Sequence, residues 1–227
     1  MIVLLVFVSV PARAASGTGF DISGLQGKTA TADGVFRWDA GGGTYSESYL
    51  EVASSVKKGT QFSNDMLSSG DAKLHVAGSE VIRINKGVKL CNVVIENGTL
   101  QLTANGIVFN DGAIVEGTEN PTSIMENQSN CVPMIQGSFS KLAGTGTIKL
   151  VPTKQTTVKD GSPIIDGNNG ALVVAGGQPR ISGVFERLQI DAGTVQVEKN
   201  TYTGEISFKG SAGVGTLAVS ANTYFAD

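Results

Sequence analysis

Two segments near the C-terminal end constrain this chain more than any other feature. Gly193, Thr194, Val197, Asn200, Thr201 and Tyr202 return as Gly215, Thr216, Val219, Asn222, Thr223 and Tyr224, and Val195 returns as Leu217. The offset is 22 residues throughout. A chain that repeats at such a period stacks coils, each burying its apolar face against the next. The same line opens at Gly98 and runs to Asn105, and weaker versions open at Gly146 and Gly170. The starting glycines are then separated by 48, 24, 23 and 22 residues. The gap of 48 reads as two periods with one line lost near Thr122. The polar segment 117–133 that fills it, which contains Pro121, predicts a loop insertion in place of a rung.

Each line places apolar residues two apart: Leu100 and Leu102, Ile148 and Leu150, Leu172 and Val174, Val195 and Val197, Leu217 and Val219. Alternate residues of a strand share a face, so these pairs point inward. Stacking one line on the next predicts an all-β, parallel β-helix of about nine coils, a rod about 40 Å long at the usual strand spacing. Asn105, Asn200 and Asn222 share one phase, and Gly98, Gly193 and Gly215 another. These residues are expected to turn the chain, the amides bonding from coil to coil. The alternative is an antiparallel β-sandwich, for which Asn97-Gly98, Asp111-Gly112 and Asp160-Gly161 offer hairpin turns. The repeat in phase favours the solenoid, because a sandwich has no reason to return one line at a fixed interval.

The line is not visible before residue 73. Met1–Val10 is apolar and leads to Ala12-x-Ala14, a small-x-small cleavage pattern, so 1–14 reads as a signal peptide. Ten apolar residues are too few to span a bilayer. Segment 15–72 is expected to be an irregular cap that protects the first coil. Within it Val35–Asp39 alternates as a strand does, while Tyr45, Tyr49, Leu50 and Val52 fit a short helix or an edge strand equally. Segment 73–227 carries the coils.

The wording Gly-Thr-Leu-x-Val followed by Asn-Thr-Tyr-Thr-Gly, carried by Gly193–Gly204 with Val195 for the Leu and by Gly215–Tyr224 without the closing Thr-Gly, resembles the autotransporter-associated β-strand repeat. The resemblance covers about two repeats. It departs from the family after Gly204, where Glu205-Ile206 stand, and at Phe225-Ala226. It implies the passenger region of a bacterial autotransporter: a right-handed parallel β-helix, exported to the outer-membrane surface or beyond. The implied role is structural or adhesive, with a host surface protein or glycan as partner and the chain acting as a monomer.

Chemistry is sparse. Lys and Arg number 17 against 20 Asp and Glu, which leaves nothing to attract nucleic acid. The one histidine, His75, lies between Leu74 and Val76 and reads as a surface imidazole on an alternating strand. No Gly-x-Ser-x-Gly elbow is present to pair with it. Cys91 and Cys131 are the two thiols. Export permits a disulfide between them, but their different phases in the repeat favour two free thiols. Asp160 and Asp166 belong to an oxygen-rich stretch that reads first as turns and only second as a calcium site. No cofactor is expected. The rival function, a polysaccharide-active β-helix lyase or glycosidase, requires paired carboxylates on an outer face. Asp39, Glu47, Glu51, Glu80 and Glu96 show no paired spacing.

Overall fold

The computed structural model describes residues 19–118, 122–209 and 215–219. The leader, most of the second repeat line after Val219, and Asn222 lie outside the described residues. The chain is nearly all β, a parallel β-solenoid of about eight turns. Successive coils meet in parallel register. Leu74 lies beside Val93, Val93 beside Val115, and Val115 beside Ile135. Further along the stack Leu172 lies beside Leu188, and Leu188 beside Ile206. A second column runs Gly19–Asp21, Val81–Ile84, Gly98–Leu102, Ser123–Asn127 and Lys141–Gly144. Antiparallel pairing among the described strands is confined to the hairpin Val35–Gly41/Thr44–Glu51 and its junction with Lys73–Val76. The β-sandwich is therefore not the fold.

Four of the five inward pairs are where alternation places them; in the last, Leu217 is half-buried and Val219 is 51% exposed. Leu100, Leu102, Ile148, Leu150, Leu172, Val174 and Val195 are fully buried, with Val197 close to it. They join one continuous core that also holds Ile82, Ile84, Val93, Ile95 and Ile165. Burying each such side chain is worth about 1.5–3 kcal/mol.

The spacing of the coils differs from the expected 22–24 residues. Gly193 does pair with Gly215, a step of 22. Val81 pairs with Thr99, a step of 18. Ile164 pairs with Arg180 and Leu172 with Leu188, steps of 16. The five lines also do not form one column. Gly98–Leu102 stacks on Ser123–Asn127, Thr147–Leu150 on Ile164–Asp166, and Gly170–Ala175 on Gln155–Val158. The physical reason is that every face of a coil needs the same two inward aliphatics. The line therefore recurs on different faces, and its recurrence does not measure the coil.

Segment 117–133 is likewise not a plain loop. Ser123–Asn127 is a rung paired in register with Gly98–Leu102, Ser123 beside Gly98 and Asn127 beside Leu102. It escapes an aliphatic template because Asn127, fully buried, stands where the line has its second leucine. Its amide nitrogen donates to the Cys131 carbonyl at 2.8 Å and to the Thr147 carbonyl at 3.3 Å, and its oxygen accepts from Ser129. A buried amide satisfied at both ends costs little. Asn92 and Asn168 also bridge coils, to the Ile114 amide and the Leu150 carbonyl. Coil-to-coil amide bonding thus exists at Asn92, Asn127 and Asn168, and at Asn97, which accepts from Thr122. Asn200 instead takes a left-handed turn conformation, φ 60°.

A ladder of glycines follows the true step. Gly161, Gly177 and Gly193 have φ of 88°, 80° and 86° at successive intervals of 16 residues. A Cβ on Gly177 would sit 2.5 Å from the Gly161 carbonyl oxygen, and one on Gly193 equally close to the Gly177 oxygen. Only glycine tolerates both the backbone and the approach. Gly177→Ala should therefore destabilise the fold by about 2–4 kcal/mol, measured by denaturant unfolding. Gly42→Ala, also at positive φ but open to solvent, should show the backbone cost alone.

Candidate functional site

The first coil is an edge that must be covered. The hairpin Val35–Gly41/Thr44–Glu51 covers it by adding antiparallel strands to Lys73–Val76. Its inner face packs Phe36 edge-on to Phe62 at 5.0 Å, and Trp38 against Phe20 at 6.1 Å. The Trp38 indole N–H donates to the Asp21 carbonyl at 3.0 Å. Tyr45, Tyr49 and Leu50 thus lie on a strand, Thr44–Glu51, which resolves the helix-or-strand ambiguity.

The outer face of this cap collects the polar aromatic residues of the region. The register sets Arg37 beside Tyr49, Tyr49 beside His75, and Val35 beside Glu51. The Tyr49 and His75 rings stack at 4.2 Å with an interplanar angle of 12°. The Arg37 guanidinium lies 4.7 Å from the centre of the Tyr49 ring. Arg37 Nη1 donates to the carbonyls of Ser46 and Glu47, at 3.1 and 2.7 Å, where the hairpin register shifts. His75 Nε2 meets Glu51 Oε2 at 3.1 Å.

His75 is therefore not a surface imidazole; it is 8% exposed. The aromatic ring of Tyr49 covers it, and this stacking was invisible in a sequence where the two residues are 26 apart. Its Nδ1 is buried without a partner among the described residues. A proton there would be a buried donor left unpaired, so the geometry favours the tautomer with the proton on Nε2, donating to Glu51. Burial pushes the Tyr49 hydroxyl above its ordinary pKa. The Glu51 and Glu96 carboxylates add to this, and Arg37 opposes it.

A shallow cleft of about 560 Å³ opens on this face, lined by Thr31, Val35, Arg37, Tyr45, Tyr49 and Glu51. Tyr45 is 58% exposed at its rim. Nothing in the sequence repeat pointed to it. The usable signal was the alternation of Val35, Arg37 and Asp39 together with Tyr45, Tyr49 and Glu51.

Behind the hairpin a second polar cluster fastens cap to coil. Glu80 accepts from the Glu47 amide and the Ser48 hydroxyl, both at 3.0 Å, and the Ser48 oxygen accepts from the Ala77 amide at 3.1 Å. Burial raises the Glu80 pKa, but hydrogen bonds from Ser46, Ser48 and Glu47 outweigh it and the net direction is down.

Cys91 and Cys131 are both free thiols. Cys91 directly precedes the strand Asn92–Ile95, and Cys131 lies ahead of Met134–Phe139. The strand Ile114–Gly117 lies between those two, so a full coil separates the sulfurs' rungs. Burial pushes the Cys131 thiol up to about 11. It lines a second depression of about 410 Å³ with Val108, Phe109 and Val132. Asp160 and Asp166 accept from the amides of Gly161 and Asn168, so both serve turns. Among the described residues no three His, Cys, Asp or Glu side chains come together as a metal site. No described helix is long and apolar enough to cross a membrane.

Comparison with protein-family models, curated proteins and solved structures gives no match. The functional reading rests on fold and site geometry.

Two outcomes are expected. Because the folded pKa of Glu80 is depressed, its contribution is complete above the unfolded carboxylate value and lost as pH falls through the folded one. Glu80→Gln should cost about 1–2 kcal/mol at pH 7, a deficit that shrinks as the pH is lowered below about 4, followed by thermal melts of both proteins. The Cys131 thiol, with few thiolates at pH 8, should react with a disulfide reagent about a hundredfold more slowly than an unperturbed thiol until the protein is unfolded.

Proposed function

We propose that this chain is an exported β-solenoid of autotransporter-passenger type, displayed at a bacterial surface in a structural and adhesive role. The observation that supports it is the stack itself. About eight coils share one aliphatic core and pair every neighbour through the backbone, which makes a stiff rod with long, polar outer faces. Such a rod holds a contact surface away from the cell and resists proteolysis, because no coil opens without breaking its ladders to both neighbours. The repeat wording at Gly193 and Gly215 and the leader pattern at Ala12-x-Ala14 point the same way.

The chemistry of the cap agrees with binding. His75 and Glu51 form an imidazole–carboxylate pair, but the imidazole is buried under the Tyr49 ring, and the aromatic ring left exposed at the cleft is Tyr45. No observation favours the polysaccharide-cleaving alternative over this reading.

Expressed in a Gram-negative host, the protein should lose its leader and be labelled on intact cells by a membrane-impermeant amine reagent. Those cells should adhere to host-matrix or glycan-coated surfaces better than cells lacking it. A chain that stays in the cytoplasm with the leader uncut contradicts the proposal.

A further inference from the structure

The cleft on the outer face of the cap has the chemistry of a saccharide subsite, an inference that gives the adhesive reading above a ligand class and a place. Its rim carries an exposed phenol ring, Tyr45, on the same strand face as Tyr49 and Glu51. Aromatic rings in such positions offer an apolar face with a polar tip. The C–H-bearing face of a pyranose matches that face, and its hydroxyls match hydrogen-bonding groups at the edges.

Those groups are in place and unspent. Arg37 uses Nη1 on the Ser46 and Glu47 carbonyls, leaving Nη2 and Nε without protein acceptors among the described residues. Glu51 uses Oε2 on His75, leaving Oε1. The two tyrosine hydroxyls add two groups that both donate and accept. A ligand here meets donors and acceptors together around a ring, the pattern a polyhydroxylated molecule satisfies and a hydrocarbon does not.

The supporting contacts are rigid. Arg37 is pinned over Tyr49 and anchored to backbone, Tyr49 is backed by the buried His75 ring, and His75 holds Glu51. A cleft whose polar groups are already positioned loses little freedom on binding. The charge on this face discriminates further. Arg37 and Lys73 are met by Asp39, Glu47 and Glu51 across three adjoining strands. Glu51 in the cleft, with Asp39 and Glu47 on the strands around it, disfavours sulfated and uronate-rich chains.

We propose that the cleft formed by Arg37, Tyr45, Tyr49 and Glu51 binds a neutral oligosaccharide, the sugar ring stacking on Tyr45 while Arg37 and Glu51 hydrogen-bond its hydroxyls.

The test is titration of the purified full chain with four neutral probes, maltohexaose, cellohexaose, mannohexaose and chitohexaose, with heparin as the anionic control. At least one neutral probe should bind, and heparin should not. Tyr45→Ala should weaken binding tenfold or more, Tyr45→Phe should keep most of it, and Glu51→Gln should weaken it. Because Tyr45 is exposed, its variants should melt with the parent, which a thermal scan checks. Val132→Ala, at the distant depression, should bind as the parent does. The proposal is overturned if no neutral probe binds, if heparin binds in preference, or if Tyr45→Ala binds unchanged.

Adhesion of whole cells separates the saccharide site from display at the surface. Cells that carry Tyr45→Ala and still adhere like the parent overturn the saccharide site and leave that reading standing. A purified chain that binds a probe through Tyr45, from cells that never display it, does the reverse.

Discussion

The parallel backbone pairing between one coil and the next is the interaction on which everything else depends. A single coil has no core. Its inward aliphatics are buried only because the same positions of the next coil lie about 4.8 Å along the axis, at the distance the hydrogen-bonded ladder sets. Leu74, Val93, Val115 and Ile135 are one such column, each fully buried by its neighbours in the stack. The ladder also dictates where exceptions can sit. Asn127 occupies an aliphatic position only because its amide spans to the next coil, and Gly161, Gly177 and Gly193 are glycines because the carbonyl beneath each leaves no room for a Cβ.

A stack of identical pairings has ends, and the first end shapes the site. The edge at Lys73–Val76 is closed by a hairpin running antiparallel to it, so the cap presents alternating residues on a surface that the coils do not. Its inner residues Phe36, Trp38 and Phe62 fill the end of the core. Its outer residues Arg37, Tyr45, Tyr49 and Glu51 make the cleft. Fold and candidate site are two faces of one solution to an unpaired edge.

How much of this the sequence carried depends on the range of the interaction. Alternation is local, so the inward pairs such as Leu100/Leu102 and Leu172/Val174 could be read directly, and with them the class of fold. The coil length could not, because Thr147–Leu150 and Gly170–Ala175 look alike yet lie on different columns. The 22-residue match at Gly193 and Gly215 is a real pair of neighbours, whereas neighbours 16 apart such as Leu172 and Leu188 sit in lines of different wording. The rung at Ser123–Asn127 was hidden by one inward polar residue whose partner carbonyls come from other segments. The stacking of Arg37, Tyr49 and His75 was hidden because each belongs to a different strand.

The register of the coils can be tested with one engineered disulfide. Gln101 and Glu126 are neighbours on the outer face of adjacent coils, their side chains 2.7 Å apart. In a protein lacking Cys91 and Cys131, the pair Gln101→Cys and Glu126→Cys should oxidise to an intramolecular bridge in the native state, since neighbouring strands hold their Cα atoms within disulfide range. Gln101→Cys with Lys149→Cys, residues at matching points of the repeat line but on different columns, should remain reduced. Bridging of the second pair and not the first would contradict the stacking described here.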